Sequence, residues 1–348
     1  MKHFHASHFD LEEAMKALVI LISLLVCTAF ALFSASRTAS PQENPQPRRR
    51  VILDAHNCYP YYEWWFDRID RALSAGTPVA IEQDLLWAKN PRTGKMASVL
   101  SHGAPPTGTE PGMREYFFER VRPIVEKALS DGNRGDWPLI TLNLDLKSEE
   151  PEHLEAIWAL LSGYRDWLTT AARTDDLAKL EPLQIRPILV LTGESDAQQH
   201  VFYDQVRAGD RLLVFGAVKT NTSNPSAPPG VLAPNPADNY HRWWNNAWRV
   251  VEPEGQQNAG AWTAEKESRL NQLVAYAHKW NLWIRFYTLD GASKAELSCN
   301  GWFRTYNFGS KEAVQSRWAA AVKAGVDYLA SDQYEELGKF LKAHAGPR

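Results

Sequence analysis

The feature that most constrains this chain is a repeated alternation of short apolar, β-rich runs with amphipathic helical stretches from residue 51 onward. VILDAH (51–56), PVAIEQD (78–84), PLITLNLDLK (138–147), RPILVLT (186–192), RLLVFGAV (211–218), NLWIRFYTL (281–289) and VDYLASD (326–332) read as strands. Helical patterns fall at 61–75, 114–130, 151–170, 197–207, 264–279 and 311–324, with Thr263 and Ser310 at N-cap positions and Pro151 in a first turn. Strands separated by helices imply a parallel sheet, and this number of repeats favours a closed α/β barrel of the (β/α)8, or TIM-barrel, type in a single domain over 51–348. Seven strands are plain. The eighth is expected within 240–251, behind a stretch carrying Pro225, Pro228, Pro229, Pro234 and Pro236.

The remaining sequence divides before that domain. Residues 1–36 comprise an N-terminal extension and a signal peptide or signal anchor: Lys16, an apolar run over 17–33, then small residues, with Met15 as an alternative start. Residues 37–50 read as a linker. Export to the outside, the periplasm or a membrane-anchored state follows as the expectation. The 38 Lys and Arg nearly balance 41 Asp and Glu, and no basic field beyond residues 48–50 exists to attract a phosphate backbone, which excludes nucleic acid as the main partner. Of the three cysteines Cys27 lies in the apolar run, so Cys58 and Cys299 allow at most one bridge.

Chemistry is expected at the C-terminal ends of the strands, which share one rim in such a barrel. Of ten histidines, His153, His200 and His278 fall in helical stretches, where an exposed imidazole is the usual state. His56 ends the first strand and His102 follows the second, so both are placed at the same mouth; His241 lies in the segment HRWWNNAW. Strand parity sets Glu82 and Asp84 on one side and Thr141, Asn143, Asp145 and Lys147 on another common side. Three converging carboxylates repel one another, and a hard divalent cation, Mg²⁺ or Ca²⁺, removes that cost. Lys147 either steadies a carboxylate or donates to an anionic oxygen. Arg285 either meets a phosphate or pairs with an acid, and Asp332 reads as a helix N-cap. Trp243 and Trp244, with Tyr240 and Trp248, are expected to roof the mouth and stack on a sugar or rest at a lipid interface.

In this order the residues resemble the phosphatidylinositol-phospholipase-C-like phosphodiesterases, which include the glycerophosphodiester phosphodiesterases and the spider-venom phospholipases D. The resemblance runs through His56, Glu82-x-Asp84, His102, Asp145-x-Lys147 and the closing GVDYLASD at 325–332. It implies a TIM barrel, His56 and His102 as acid/base catalysts, and Glu82, Asp84 and Asp145 as ligands of one cation. Asn57 stands where the glycerophosphodiesterases usually carry Arg, so the pair His56-Asn57 is more like the branch that includes the fungal altered-inheritance-of-mitochondria protein six.

The expected function is metal-dependent hydrolysis of a phospholipid, glycerophosphodiester or similar diester, with His56 as base and His102 as acid. Asn57, Lys147, Arg285, Trp243 and Trp244 are the substrate contacts. The alternatives are an exported barrel that binds a glycan or lipid head group without catalysis, and a glycosidase using Glu82. The second is disfavoured because Glu82 and Asp84 share one strand, whereas acid and nucleophile should flank the scissile bond.

Overall fold

The computed structural model describes residues 48–60, 66–103, 105–300 and 304–344, with the side chains of 298–300 also outside the description. The expected signal segment, most of the linker and residues 61–65 of the first helical stretch lie outside the described residues. The described chain forms one compact unit.

Among the described residues eleven strands follow in chain order: β1 (Ile52–Ala55), β2 (Val79–Lys89), β3 (Met96–Leu100), β4 (Ile140–Leu146), β5 (Ala171–Ala172), β6 (Ile188–Thr192), β7 (Arg211–Leu212), β8 (Phe215–Ala217), β9 (His241–Ala247), β10 (Trp283–Tyr287) and β11 (Tyr328–Ser331). Eight of them pair in parallel in the order β1-β11-β10-β9-β8-β6-β4-β2, and β2 returns to β1 through Asp54 opposite Ala80, closing the barrel. β9 is the eighth strand, within the expected stretch. Its HRWWNNA sequence carries no simple alternation because both faces are covered, Trp243 toward the interior and Trp244 toward the helix Ala264–Lys279.

The helices follow from their ends. Thr263 Oγ1 accepts from the Lys266 amide and Ser310 Oγ from the Ala313 amide, caps worth about 1 kcal/mol each. Gly325, at φ 80°, stops the helix Lys311–Ala324 in a left-handed conformation that a Cβ disfavours. The stretch expected to be helical over 151–170 ends at Ser162; a short 3₁₀ turn (Arg165–Trp167) follows, and Leu168 bridges Ile188. Arg48, Arg49 and Arg50 donate to Leu282 O, Gly135 O and Asp136 respectively, so the end of the linker sequence contacts the barrel. Among the described residues no helix is long and apolar enough to cross a membrane.

One departure shapes the mouth. The second strand does not stop at Asp84 but runs on to Lys89, turns at Asn90–Lys95 and returns as antiparallel β3, with Leu85 opposite Leu100. Gly94, at φ 71°, permits that turn. The hairpin leads the chain back so that the Ser101 amide donates to Asp84 O at 3.0 Å. His102 therefore reaches the rim by a hairpin, not by ending a barrel strand.

Candidate active site

A cavity of about 690 Å³ opens at the C-terminal strand ends and is lined by His56, Glu82, His102, Asp145, Lys147 and Arg285, among others. Residues from five separate stretches of chain meet there, as strand parity requires of inward-facing positions.

His56 is the most constrained of them. Its Nδ1 lies 2.9 Å from Asp332 Oδ1 and its Nε2 3.6 Å from Glu82 Oε2, with all three side chains buried. Tyr287 stacks on the imidazole at 5.8 Å and Tyr306 meets it edge-on at 5.5 Å. Burial alone would lower the His56 pKa, but the charge of Glu82 and then the hydrogen bond and charge of Asp332 raise it to about 9. Asn57 sits at φ 52°, a left-handed conformation that Asn tolerates better than most residues. From there its amide N–H donates to Glu82 Oε2 at 3.0 Å and its Nδ2 to Asp332 Oδ1 at 3.1 Å.

Glu82 and Asp84 on β2 face Asn143 and Asp145 on β4 in the parallel register. One carboxylate oxygen from each of Glu82, Asp84 and Asp145 lies within 4.8 Å of the others. Lys147 Nζ sits 2.7 Å from Asp145 and 3.2 Å from Asp84. Asp84 is buried and neither of its oxygens accepts a geometrically sound hydrogen bond. Burial, and then the charges of Glu82 and Asp145, push its carboxyl well above the usual range. Burial acts on Glu82 in the same direction, but Arg285 and His56 outweigh it and hold its pKa down. A buried carboxylate that has Lys147 Nζ at 3.2 Å as an ion-pair partner but accepts no well-formed hydrogen bond, in an all-oxygen set, fits a hard cation such as Mg²⁺ or Ca²⁺.

Arg285, on β10, spans the floor of the cavity: Nε donates to Asp54 at 2.5 Å, Nη1 to Asn245 at 3.0 Å and Nη2 to Glu82 at 3.2 Å. Of the two readings of this residue, the structure shows the pairing with acids. His102 is exposed at the rim and stacks on Tyr59 at 6.0 Å. Burial and then the positive charge of Lys147 lower its pKa. Without a cation these surroundings favour the charged form of His56 and the neutral form of His102.

Several expectations change. Trp243 lines the cavity, with Nε1 donating to Thr192 O, but Trp244 does not: it is fully buried outside the barrel wall, its Nε1 on Thr220 Oγ1 and its ring against Tyr276. Tyr240 and Trp248 are likewise buried. The segment is a barrel strand and cannot roof the mouth, because alternation sends every second side chain outward. His241 begins that strand and binds Asp238, away from the C-terminal rim. His153, placed among the exposed helical histidines, is fully buried. Cys58 is a buried free thiol, and the Cys299 side chain lies outside the described residues.

Asp332 is the residue that sequence reasoning misassigned. Ser-Asp after a strand looks like a cap, yet its carboxylate turns inward to His56, Asn57 and Arg68. The signal available was its position at the end of the last barrel strand, next to β1 in a closed barrel. Tyr287 and Tyr306 were also missed.

The sequence matches no known family profile and no curated protein. Among solved structures it is similar to a glycerophosphoryl diester phosphodiesterase from Parabacteroides distasonis, at 13% identity over 88% of this chain and 90% of that one, TM-score 0.43. It is also similar to a calcium-dependent phosphoinositol-specific phospholipase C from a Pseudomonas species, at 14% identity over 84% and 92%, TM-score 0.46. A Plasmodium falciparum HPPK-DHPS aligns at 10% identity over 86% of this chain and 47% of that one, TM-score 0.41. With each of these TM-scores below 0.5, the barrel rests on its own strand register, and function must be argued from the site.

Proposed function

We propose that the protein is a phosphoric diester hydrolase acting on a phospholipid, glycerophosphodiester or similar head group. The observation that carries this reading is the meeting, at one barrel mouth, of a carboxylate-held imidazole and three carboxylates within 4.8 Å of one another. Asp332 holds Nδ1 and fixes the ring plane of His56, which leaves Nε2 toward the cavity. His102 enters from the hairpin, where its surroundings disfavour the charged form that those of His56 favour, and two imidazoles biased in opposite directions suit acid/base catalysis. Each such group is typically worth about 10² to 10⁴ in rate. The rest is positioning and charge. Glu82, Asp84 and Asp145 would hold the cation, which supplies Lewis acidity toward a phosphoryl oxygen. Lys147 stands next to them as a donor to that same oxygen, and Trp243 and Tyr287 offer ring faces to the head group.

Asn57 gives its amide to Asp332 and brings no charge to a phosphate. On this residue we extend the resemblance to the branch of altered-inheritance-of-mitochondria protein six. Export and contact with a membrane surface belong to the same proposal and rest on the apolar run at 17–33. The competing reading, a barrel that binds without catalysis, draws on Lys147 already neutralising Asp84 and Asp145. Bis(p-nitrophenyl) phosphate separates the two. Hydrolysis that requires Mg²⁺ or Ca²⁺, stops with EDTA and is lost in His56→Ala and in Glu82→Ala is the expected result; activity unchanged in both variants, or inertness toward every diester class, overturns it.

A further inference from the structure

The β2–β4 ladder ends where the Lys147 amide donates to Leu85 O at 2.8 Å. Beyond that point the hairpin β2–β3 leaves the barrel wall, and side chains must hold what the ladder no longer holds. The Trp87 amide donates to Ser148 Oγ at 2.8 Å. His153 Nδ1 lies 3.0 Å from Ser148 O, and its Nε2 lies 2.8 Å from Ser98 Oγ on β3. Its ring stacks on the Trp87 indole at 5.7 Å, the planes 22° apart. Nδ1 also lies 3.1 Å from Ser148 Oγ; in the tautomer that satisfies the Ser148 carbonyl, Nδ1 donates to it and Nε2 accepts from the Ser98 hydroxyl. Burial lowers the His153 pKa, in keeping with that neutral form.

We infer that His153 is a positioning residue, which locks the hairpin carrying His102 to the end of β4, where Asp145 and Lys147 stand. It touches neither substrate nor cation. Ser98 stands four residues before His102 and Ser148 directly follows Lys147, so one ring sets the spacing between a group that moves a proton and a group that binds the reacting phosphate. This rests on the diesterase reading for its consequence in catalysis, though not for the coupling itself.

Two variants and two measurements test it. His153→Phe keeps the stack on Trp87 and removes both hydrogen bonds; His153→Gln keeps a donor and an acceptor. Amide hydrogen exchange over 97–102 is expected to quicken at least about tenfold in His153→Phe while β6 is unchanged, since local opening is limited by such contacts. With bis(p-nitrophenyl) phosphate, kcat is expected to fall at least about tenfold with KM within about twofold, and His153→Gln to recover most of it, as expected when a reacting group is displaced. Ser98→Ala, which removes one arm only, should show a smaller effect in the same direction. Unchanged exchange overturns the coupling whatever the activity does. Quickened exchange with unchanged kcat overturns the role in positioning. No turnover by the unaltered protein overturns the diesterase reading, and the catalytic role with it, while the exchange result still decides the coupling.

Discussion

Asp332 Oδ1 lies 2.9 Å from His56 Nδ1, joining the two ends of the barrel domain across 276 positions of sequence. The contact exists because β11 and β1 are neighbours in the closed barrel, with Ala55 opposite Ser331. A buried carboxylate behind an imidazole fixes its orientation and favours its charged form.

That relationship sets a pH dependence in the metal-free protein. The His56 pKa is raised from the ordinary 6.5 to about 9. A raised folded-state value contributes stability that is full below the unfolded pKa and is lost as pH rises through the folded one. Urea unfolding in EDTA is therefore expected to show stability falling between about pH 6.5 and 9, by an amount on the order of 3 kcal/mol. His56→Gln should flatten that slope, and an equal slope in the variant would contradict the coupling of His56 to Glu82 and Asp332.

Lys147 stands between Asp84 and Asp145. Lys147→Met leaves three carboxylates facing one another, where a like pair at 4 Å costs roughly 4 kcal/mol at an effective dielectric of about 20. The metal-free variant should unfold several degrees earlier than the unaltered protein. Added Ca²⁺ should raise its melting temperature more than that of the unaltered protein, because the ion replaces the missing charge. Equal responses to Ca²⁺ would show that the lysine and the cation do not share a site.

Trp243 and Trp244 are adjacent in sequence and face opposite ways. Trp244→Phe removes a buried indole and its bond to Thr220, and should destabilise by about 1 to 3 kcal/mol with KM unchanged. Trp243→Phe should change KM, since this ring lines the cavity. Kinetics and urea titrations of both variants distinguish these outcomes, and a KM shift in Trp244→Phe alone would reverse the assignment.

Cys58 has no exposed surface, and burial pushes its thiol well up. Iodoacetamide followed by peptide mapping should leave Cys58 unlabelled in the native protein and label it in denaturant without reductant. A Cys58–Cys299 bridged peptide would contradict the free thiol.

Much of the barrel was legible because parallel strands buried on both faces leave continuous apolar runs, and because caps such as Thr263 and Ser310 mark where helices begin. The acids could be read from parity: Glu82, Asp84 and Asp145 face inward because alternate strand positions must. What stayed hidden needed pairings between distant strands. Asp332 looks like a cap until β11 is set beside β1, and His153 looks like a surface helix residue until β3 folds over it. Trp244 was misplaced because a strand covered on both faces carries no periodic signal to say which indole points outward.

The most direct test of the central claim is a crystal grown with Ca²⁺. The expected result is one ion bonded to Glu82, Asp84 and Asp145 at about 2.3–2.6 Å, with Lys147 displaced from the carboxylates and His56 still on Asp332. An ion held elsewhere, or the three carboxylates left on Lys147 at saturating Ca²⁺, would contradict it.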